Sequence, residues 1–175
     1  VILRPSIIFG RDDAFFNRFA AMARMAPMLP LIGGGRTRFQ PVYVGDVASA
    51  IVAAVEGRAT PGATYELGGP EVLTFRQVLD RTQDWSGRSR CYLRLPFWLA
   101  RLGAALTAPL PNAMRPLTAD QVAMLQSDNV VSEAATKDAR TLQGLGIVSP
   151  HATATIVPEY LEQYRTKGQY SHYRG

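Results

Sequence analysis

The chain has 175 residues, 47% of them hydrophobic, and a mean hydropathy of −0.03, so it can bury one domain-sized core, and disordered, collagen-like and low-complexity classes are excluded. A single cysteine, Cys91, excludes an internal disulfide and a multi-thiolate metal site. The net charge of +5 is local: residues 1 to 40 hold six Arg against two acids and residues 91 to 117 three Arg against none, all scattered singly among apolar residues, which gives no support to nucleic-acid binding.

Residues 1 to 9 read as a buried strand interrupted by Arg4-Pro5, followed by the turn Gly10-Arg11-Asp12-Asp13. Asp13 is placed to cap a helix whose apolar face is Phe15, Phe19, Met22 and Ala26, and Pro27 and Pro30 end it. Leu31-Ile32 leads into a Gly33-Gly34-Gly35 loop, and Pro41 to Val44 reads as a short extended segment. Asp46 then stands where an N-cap belongs, ahead of Val47, Ile51 and Val55 at helical spacing, with Gly57 as the stop.

Pro61-Gly62 makes a turn, Thr64 to Leu67 a strand, and Gly68-Gly69-Pro70 closes it. Thr74-Phe75-Arg76-Gln77 is a capping box opening a helix with Phe75, Val78, Leu79, Thr82 and Trp85 on one side. Arg90 to Leu95 reads as a strand, and Pro96 fits the first turn of a helix through Trp98, Leu99, Leu102 and Leu106. With Arg94, Arg101 and Arg115 nearby, this strip reads either as a core helix, the preferred reading, or as a surface for an anionic membrane or a partner. Its apolar stretch, Trp98 to Leu110, carries Arg101 and is shorter than the roughly 20 residues of a membrane span.

Pro109, Pro111 and Pro116 form a connector, Thr118 to Gln121 is a second capping box, and a short helix near Pro158 turns Tyr160, Leu161 and Tyr164 inward. The tyrosines Tyr160, Tyr164, Tyr170 and Tyr173 read as a docking strap. The alternation of strands and helices predicts an α/β fold with a helix-rich C-terminal portion. His151 and His172 are 21 positions apart with no cysteine between metal-ligand spacings, so no metal site is expected. The opening Val1-Ile2-Leu3, without Met and already inside a hydrophobic run, reads as the start of a fragment.

Three segments together resemble the extended short-chain dehydrogenase/reductases: Leu3 to Gly10 with its Arg-Pro pair, Val42-Tyr43-Val44-Gly45-Asp46-Val47, and Gly62 to Gly69 with Tyr65-Glu66-Leu67-Gly68-Gly69. Within that superfamily the chain is similar to the atypical branch containing the accessory NADPH-binding subunit of respiratory complex I and its bacterial relatives. Phe16-Asn17-Arg18-Phe19, Gly33 to Val44, Leu117 to Val122, Asp128 to Val131 and the closing Tyr164 to Tyr170 carry that likeness almost to the end.

The resemblance implies the C-terminal part of a Rossmann-like NAD(P)-binding fold, with residues 1–90 completing the cofactor domain and residues 91–175 a helix-rich portion for substrate or partner. It implies NADP or NAD as cofactor, held mainly by a Gly-x-x-Gly-x-x-Gly turn that these 175 residues lack. Gly33-Gly34-Gly35 does not replace that turn, because position 38 is not glycine and no helix follows directly. By resemblance the backbone at Pro5, Ser6 and Ile7 lies against the nicotinamide carboxamide, the alternative being a plain buried strand end.

Nucleotide-sugar epimerases of the superfamily carry a polar Asn where Ile7 stands and an Arg where Phe39 stands, which argues against a sugar-nucleotide substrate. Arg36 and Arg38 are the candidates to reach an anion, with a solvated loop as the equal alternative. Active members use a Tyr and a Lys four residues later as the proton carrier. Here the two lysines, Lys137 and Lys167, follow Glu133 and Gln163 at that spacing, so no catalytic residue is assigned and the chain alone is expected to be inactive.

The implied role is a complex I accessory or assembly subunit, linked to quinone metabolism, cytoplasmic and peripheral on the inner face of the membrane. A rival is an active epimerase, dehydratase or reductase whose glycines and Tyr/Lys pair lie upstream, and a third reading is a free-standing interaction module.

Overall fold

The computed structural model describes residues 1–107 and 118–165 and has an α/β architecture built on short parallel strand pairs. The connector prolines Pro109, Pro111 and Pro116, with Tyr170, His172 and Tyr173, lie outside the described residues. Two compact units interleave along the sequence, one made of Val1–Phe16, Phe39–Leu73 and Asn129–Tyr160, the other of Asn17–Arg38, Thr74–Asp128 and Leu161–Gly175. The short strands β4 (Arg38–Phe39) and β7 (Leu73–Thr74) fall where the chain passes from one to the other.

In the first unit, β1 (Ile2–Pro5) runs parallel to β6 (Thr64–Leu67), in register from Ile2 opposite Thr64 to Pro5 opposite Leu67. Strand β2 (Ile8–Phe9) runs parallel to β5 (Val42–Tyr43). Parallel partners need a long connection, and helix α2 (Val44–Val55) lies on the long stretch of chain that separates β1 from its partner β6. Gly57, at φ +83°, ends α2: its N–H donates to Ala54 and the Arg58 N–H to Ala53, the left-handed closure that glycine permits.

Ala50 and Ala53 pack with Val42, Tyr65, Leu67, Leu142 and Leu145 in one core cluster. The three leucines are at most 1% exposed, and each contributes about 1.5–3 kcal/mol by leaving water. Further along are α6 (Glu133–Lys137), capped by the Ser132 hydroxyl, and α7 (Thr153–Leu161), which buries Val157 and Tyr160.

In the second unit, β3 (Met28–Ile32) runs parallel to β8 (Cys91–Leu95). Helix α1 (Phe16–Met25) opens at Phe16, where Asp13 Oδ1 accepts the N–H groups of Phe15 (2.8 Å) and Phe16 (2.6 Å). Helix α3 (Phe75–Trp85) opens on the capping box: Thr74 Oγ1 accepts the Gln77 N–H, and Gln77 Oε1 accepts the Thr74 N–H. Phe19 and Phe75 meet at 5.3 Å between ring centroids. Helix α4 (Phe97–Leu106) packs on α5 (Ala119–Met124), which opens on the second capping box.

Several sequence expectations are corrected. Arg4-Pro5 does not interrupt the first strand: Pro5 is its last residue and the break falls at Ser6-Ile7. The strand is also less buried than its composition implies, with Ile2 53% exposed. Helix α1 buries Phe16, Phe19, Ala20 and Ala23, so its inward face is turned from the one read through Phe15 and Met22. Pro30 ends no helix but sits inside β3, in a two-stranded pair where one edge needs no N–H. Pro96 is the N-cap of α4, one position earlier than expected.

Candidate functional site

In a parallel α/β sheet, ligands gather at the carboxyl ends of the strands. The matching place in the first unit is the end of β1 and β6, where Pro5, Ser6 and Ile7 are followed in space by Gly68 and Gly69. Ser6 and Ile7 are buried. The Ser6 hydroxyl donates to the Asn129 carbonyl at 2.7 Å, the Ser6 N–H to the Leu67 carbonyl at 2.9 Å, and the Ile7 carbonyl accepts the Val42 N–H at 2.9 Å.

Gln40 ties this end together. Its Nε2 donates to the Gly69 carbonyl and its Oε1 accepts the Val131 N–H, both at 2.9 Å, while its own N–H donates to the Asn129 carbonyl at 3.0 Å. Both glycines are needed for that approach. A Cβ on Gly68 would stand 2.5 Å from Gln40 Cδ and 2.7 Å from Val131 Cγ2, and one on Gly69 would run into the Pro41 carbonyl. Beside them is an open depression of about 540 Å³ lined by Gln40, Gly68, Val131, Thr136, Thr141 and Gln143, uncharged but rich in hydrogen-bonding groups. Gln40 lies within the Gly33 to Val44 segment that carries the family likeness, but the sequence gives it no role of its own, because its partners come from distant segments.

Asp46 is the second correction at this site. It is the third residue of α2, not its N-cap; Tyr43 holds that place and gives no side-chain cap. The carboxylate is 4% exposed, and accepts the His151 backbone N–H on Oδ2 at 2.7 Å and pairs with His151 Nδ1 on Oδ1 at 2.9 Å. The imidazole packs against Tyr43, 5.0 Å between centroids. Tyr160, read from the sequence both as turned inward on its helix and as part of a strap, is buried and donates its hydroxyl to Asp13 Oδ2. Burial, reinforced by that carboxylate, pushes its phenol well above the usual range.

Arg36 and Arg38 belong to the second unit, so the structure does not gather the five expected site residues in one unit. Arg36 is exposed. Arg38 is held by Asp128: its N–H meets Oδ1 and its Nε meets Oδ2, each at 2.8 Å, and these contacts lower the Asp128 carboxyl below its ordinary value. Gly33, Gly34 and Gly35 all have φ between +59° and +71° and pack as a turn. Phe97 closes on Gly33, and a Cβ on Gly35 would lie 2.6 Å from Leu31 Cδ1. The run is therefore a packing device on its inner side. Among the described residues no three His, Cys, Asp or Glu side chains cluster as metal ligands, and no helix is long and apolar enough to cross a membrane.

Residues 1–71 match the 3-beta hydroxysteroid dehydrogenase/isomerase family. A mitochondrial NADH dehydrogenase [ubiquinone] 1 alpha subcomplex subunit 9 from Arabidopsis thaliana is 39% identical across 95% of this chain and 42% of its own length. The chain is a relative of the extended short-chain dehydrogenase/reductases. The Neurospora crassa mitochondrial NADH-ubiquinone oxidoreductase 40 kDa subunit is 25% identical across 97% of the chain and 42% of its own length. The chain therefore spans less than half the length of these curated proteins. Among solved structures, the dTDP-glucose 4,6-dehydratase DesIV of Streptomyces venezuelae, with NAD and TYD bound, superposes with a TM-score of 0.61 at 16% identity over 93% of the chain and 42% of that protein. At that identity the likeness speaks for the Rossmann-type fold alone.

Proposed function

We propose that this chain is the substrate- and partner-side part of an NAD(P)-binding accessory or assembly-type subunit of respiratory complex I, peripheral on the inner face of the membrane. The observation that carries the reading is the 39% identity to the Arabidopsis alpha subcomplex subunit along 95% of the chain. In this reading residues 1–90 complete the cofactor side and residues 91–175 serve substrate or partner.

This reading puts NADP or NAD at the carboxyl end of β1, against Pro5 to Ile7; the close approach at Gly68 and Gly69 is already taken by Gln40, Val131 and Pro41. Ser6's hydroxyl and N–H and Ile7's carbonyl are already engaged within the unit, so the cofactor would meet the other backbone groups of this segment. When bound, the dinucleotide supplies hydride chemistry to active members of the superfamily. The 175 residues hold no Tyr-x-x-x-Lys pair to carry the accompanying proton, and in this reading the nucleotide acts by mass action, stabilising the folded state that binds it. Arg36 is the exposed cation for an anionic group, since Arg38 is paired with Asp128.

The test is native electrophoresis of membranes from the source cells, followed by nucleotide release from the purified protein. Co-migration with complex I and about one tightly held dinucleotide per chain, unchanged by turnover assays, is the expected result. A soluble protein that oxidises or reduces the nucleotide with a small substrate, independently of complex I, refutes it in favour of an epimerase, dehydratase or reductase.

A further inference from the structure

Helix α4 faces the wrong way for a core helix. Its buried positions are Ala100 and Ala104, and it packs on α5. At 100° per residue the opposite face carries Trp98, Leu99, Leu102 and Leu106. These side chains are 67%, 38%, 49% and 72% exposed. Four large apolar residues on the outward face of one helix exceed the scattered exposure normal for a soluble surface. The preferred sequence reading of this strip as a core helix is thus overturned: the small residues turn inward and the large ones outward.

Charge decides what covers that face. Between Asp84 and Asp120 the sequence holds five arginines and no acid. Arg94, in the strand leading into α4, and Arg101, on its flank, are exposed, and Arg101 reaches only the neutral Gln126 side-chain oxygen at 2.7 Å. A tryptophan and leucines flanked along the chain by arginines, with Asp120 of the neighbouring α5 as the acid on the side where α5 packs, match a boundary that is apolar below and negatively charged above.

We propose that the outward face of α4 is a docking surface for an anionic lipid bilayer, with Trp98, Leu99, Leu102 and Leu106 entering the headgroup boundary and Arg94 and Arg101 meeting the phosphates. This names the surface behind the peripheral placement given above and rests on that placement for its biological setting only. The vesicle test contains no complex I, so its failure and the failure of the complex I reading are separate results.

The experiment is flotation of the purified protein, with its native termini, on vesicles of phosphatidylcholine alone and of phosphatidylcholine with 30% phosphatidylglycerol, a composition on the order of that of anionic bacterial and organelle leaflets. Binding to the anionic vesicles, a blue shift of Trp98 emission and weakening by salt are expected. The double variant Leu102→Glu/Leu106→Glu, both positions being exposed, keeps its circular dichroism and binds at least about tenfold more weakly. Arg94→Glu/Arg101→Glu loses the preference for anionic lipid. No binding to either vesicle by folded protein, or unchanged binding by the Leu102→Glu/Leu106→Glu variant, overturns the proposal and assigns the face to a protein partner.

Discussion

The Asp46 carboxylate distinguishes a local helix cap from a tertiary tie, and three substitutions separate them. An N-cap aspartate is replaced by serine at a cost of only a few tenths of a kcal/mol, because serine caps nearly as well. The structure instead has Asp46 inside the first turn of α2, reaching two donors of His151 about a hundred residues away in sequence. Serine is too short for both. Hydrogen bonds to a charged acceptor contribute about 1.5–3 kcal/mol each, and the ring bond counts for less because the imidazole is 50% exposed. Asp46→Ala and Asp46→Ser should therefore both cost about 2–3 kcal/mol. His151→Ala should cost about 1 kcal/mol, since the backbone N–H bond survives and only the ring bond and the Tyr43 contact are lost. Urea unfolding followed by far-UV circular dichroism reads these as midpoint shifts at unchanged m. An Asp46→Ser variant within about 0.5 kcal/mol of wild type, or a His151→Ala loss as large as that of Asp46→Ala, refutes the reasoning.

Tyr160 has a phenol raised above its ordinary value, so its contribution is complete below the unfolded pKa of about 10 and is lost as pH rises through the folded value. Tyr160→Phe should cost about 1–2 kcal/mol near neutrality and flatten the alkaline limb of a stability-against-pH curve; an unchanged limb counts against the Asp13 contact. At the triple glycine, Gly35→Ala meets Leu31 and Arg76 as well as an unfavourable φ, whereas Gly34→Ala meets no atom nearer than 4.0 Å. Gly34→Ala should cost about 1 kcal/mol and Gly35→Ala clearly more, measured by thermal unfolding; equal losses would restore the reading of an unpacked loop.

Local chemistry made many elements legible. Gly57 and Gly62 occupy left-handed positions that few other residues adopt, and the Thr74 and Thr118 capping boxes need only residues three apart. These features depend on backbone sterics and short-range hydrogen bonds, which a sequence states directly. The motifs around Arg4-Pro5, Val42 to Val47 and Tyr65 to Gly69 likewise carry the likeness to the superfamily in the sequence alone.

Facing and pairing were not legible in the same way. Val47, Ile51 and Val55 repeat at helical spacing, yet α2 turns Ala50 and Ala53 inward and leaves Ile51 and Val55 exposed. In α4 the alanines are again the buried residues and the large residues face out. Periodicity tells that a helix has an apolar side, but which side is covered depends on what the rest of the chain brings to it. The same holds for Gln40, Asp46 and His151, whose partners come from distant segments of the sequence. By itself the sequence determined the local conformations and the family, because those are set by neighbouring residues and ordered motifs; the tertiary structure alone decided which faces are buried and which polar groups meet, because burial and long-range hydrogen bonds exist only once the chain has closed on itself.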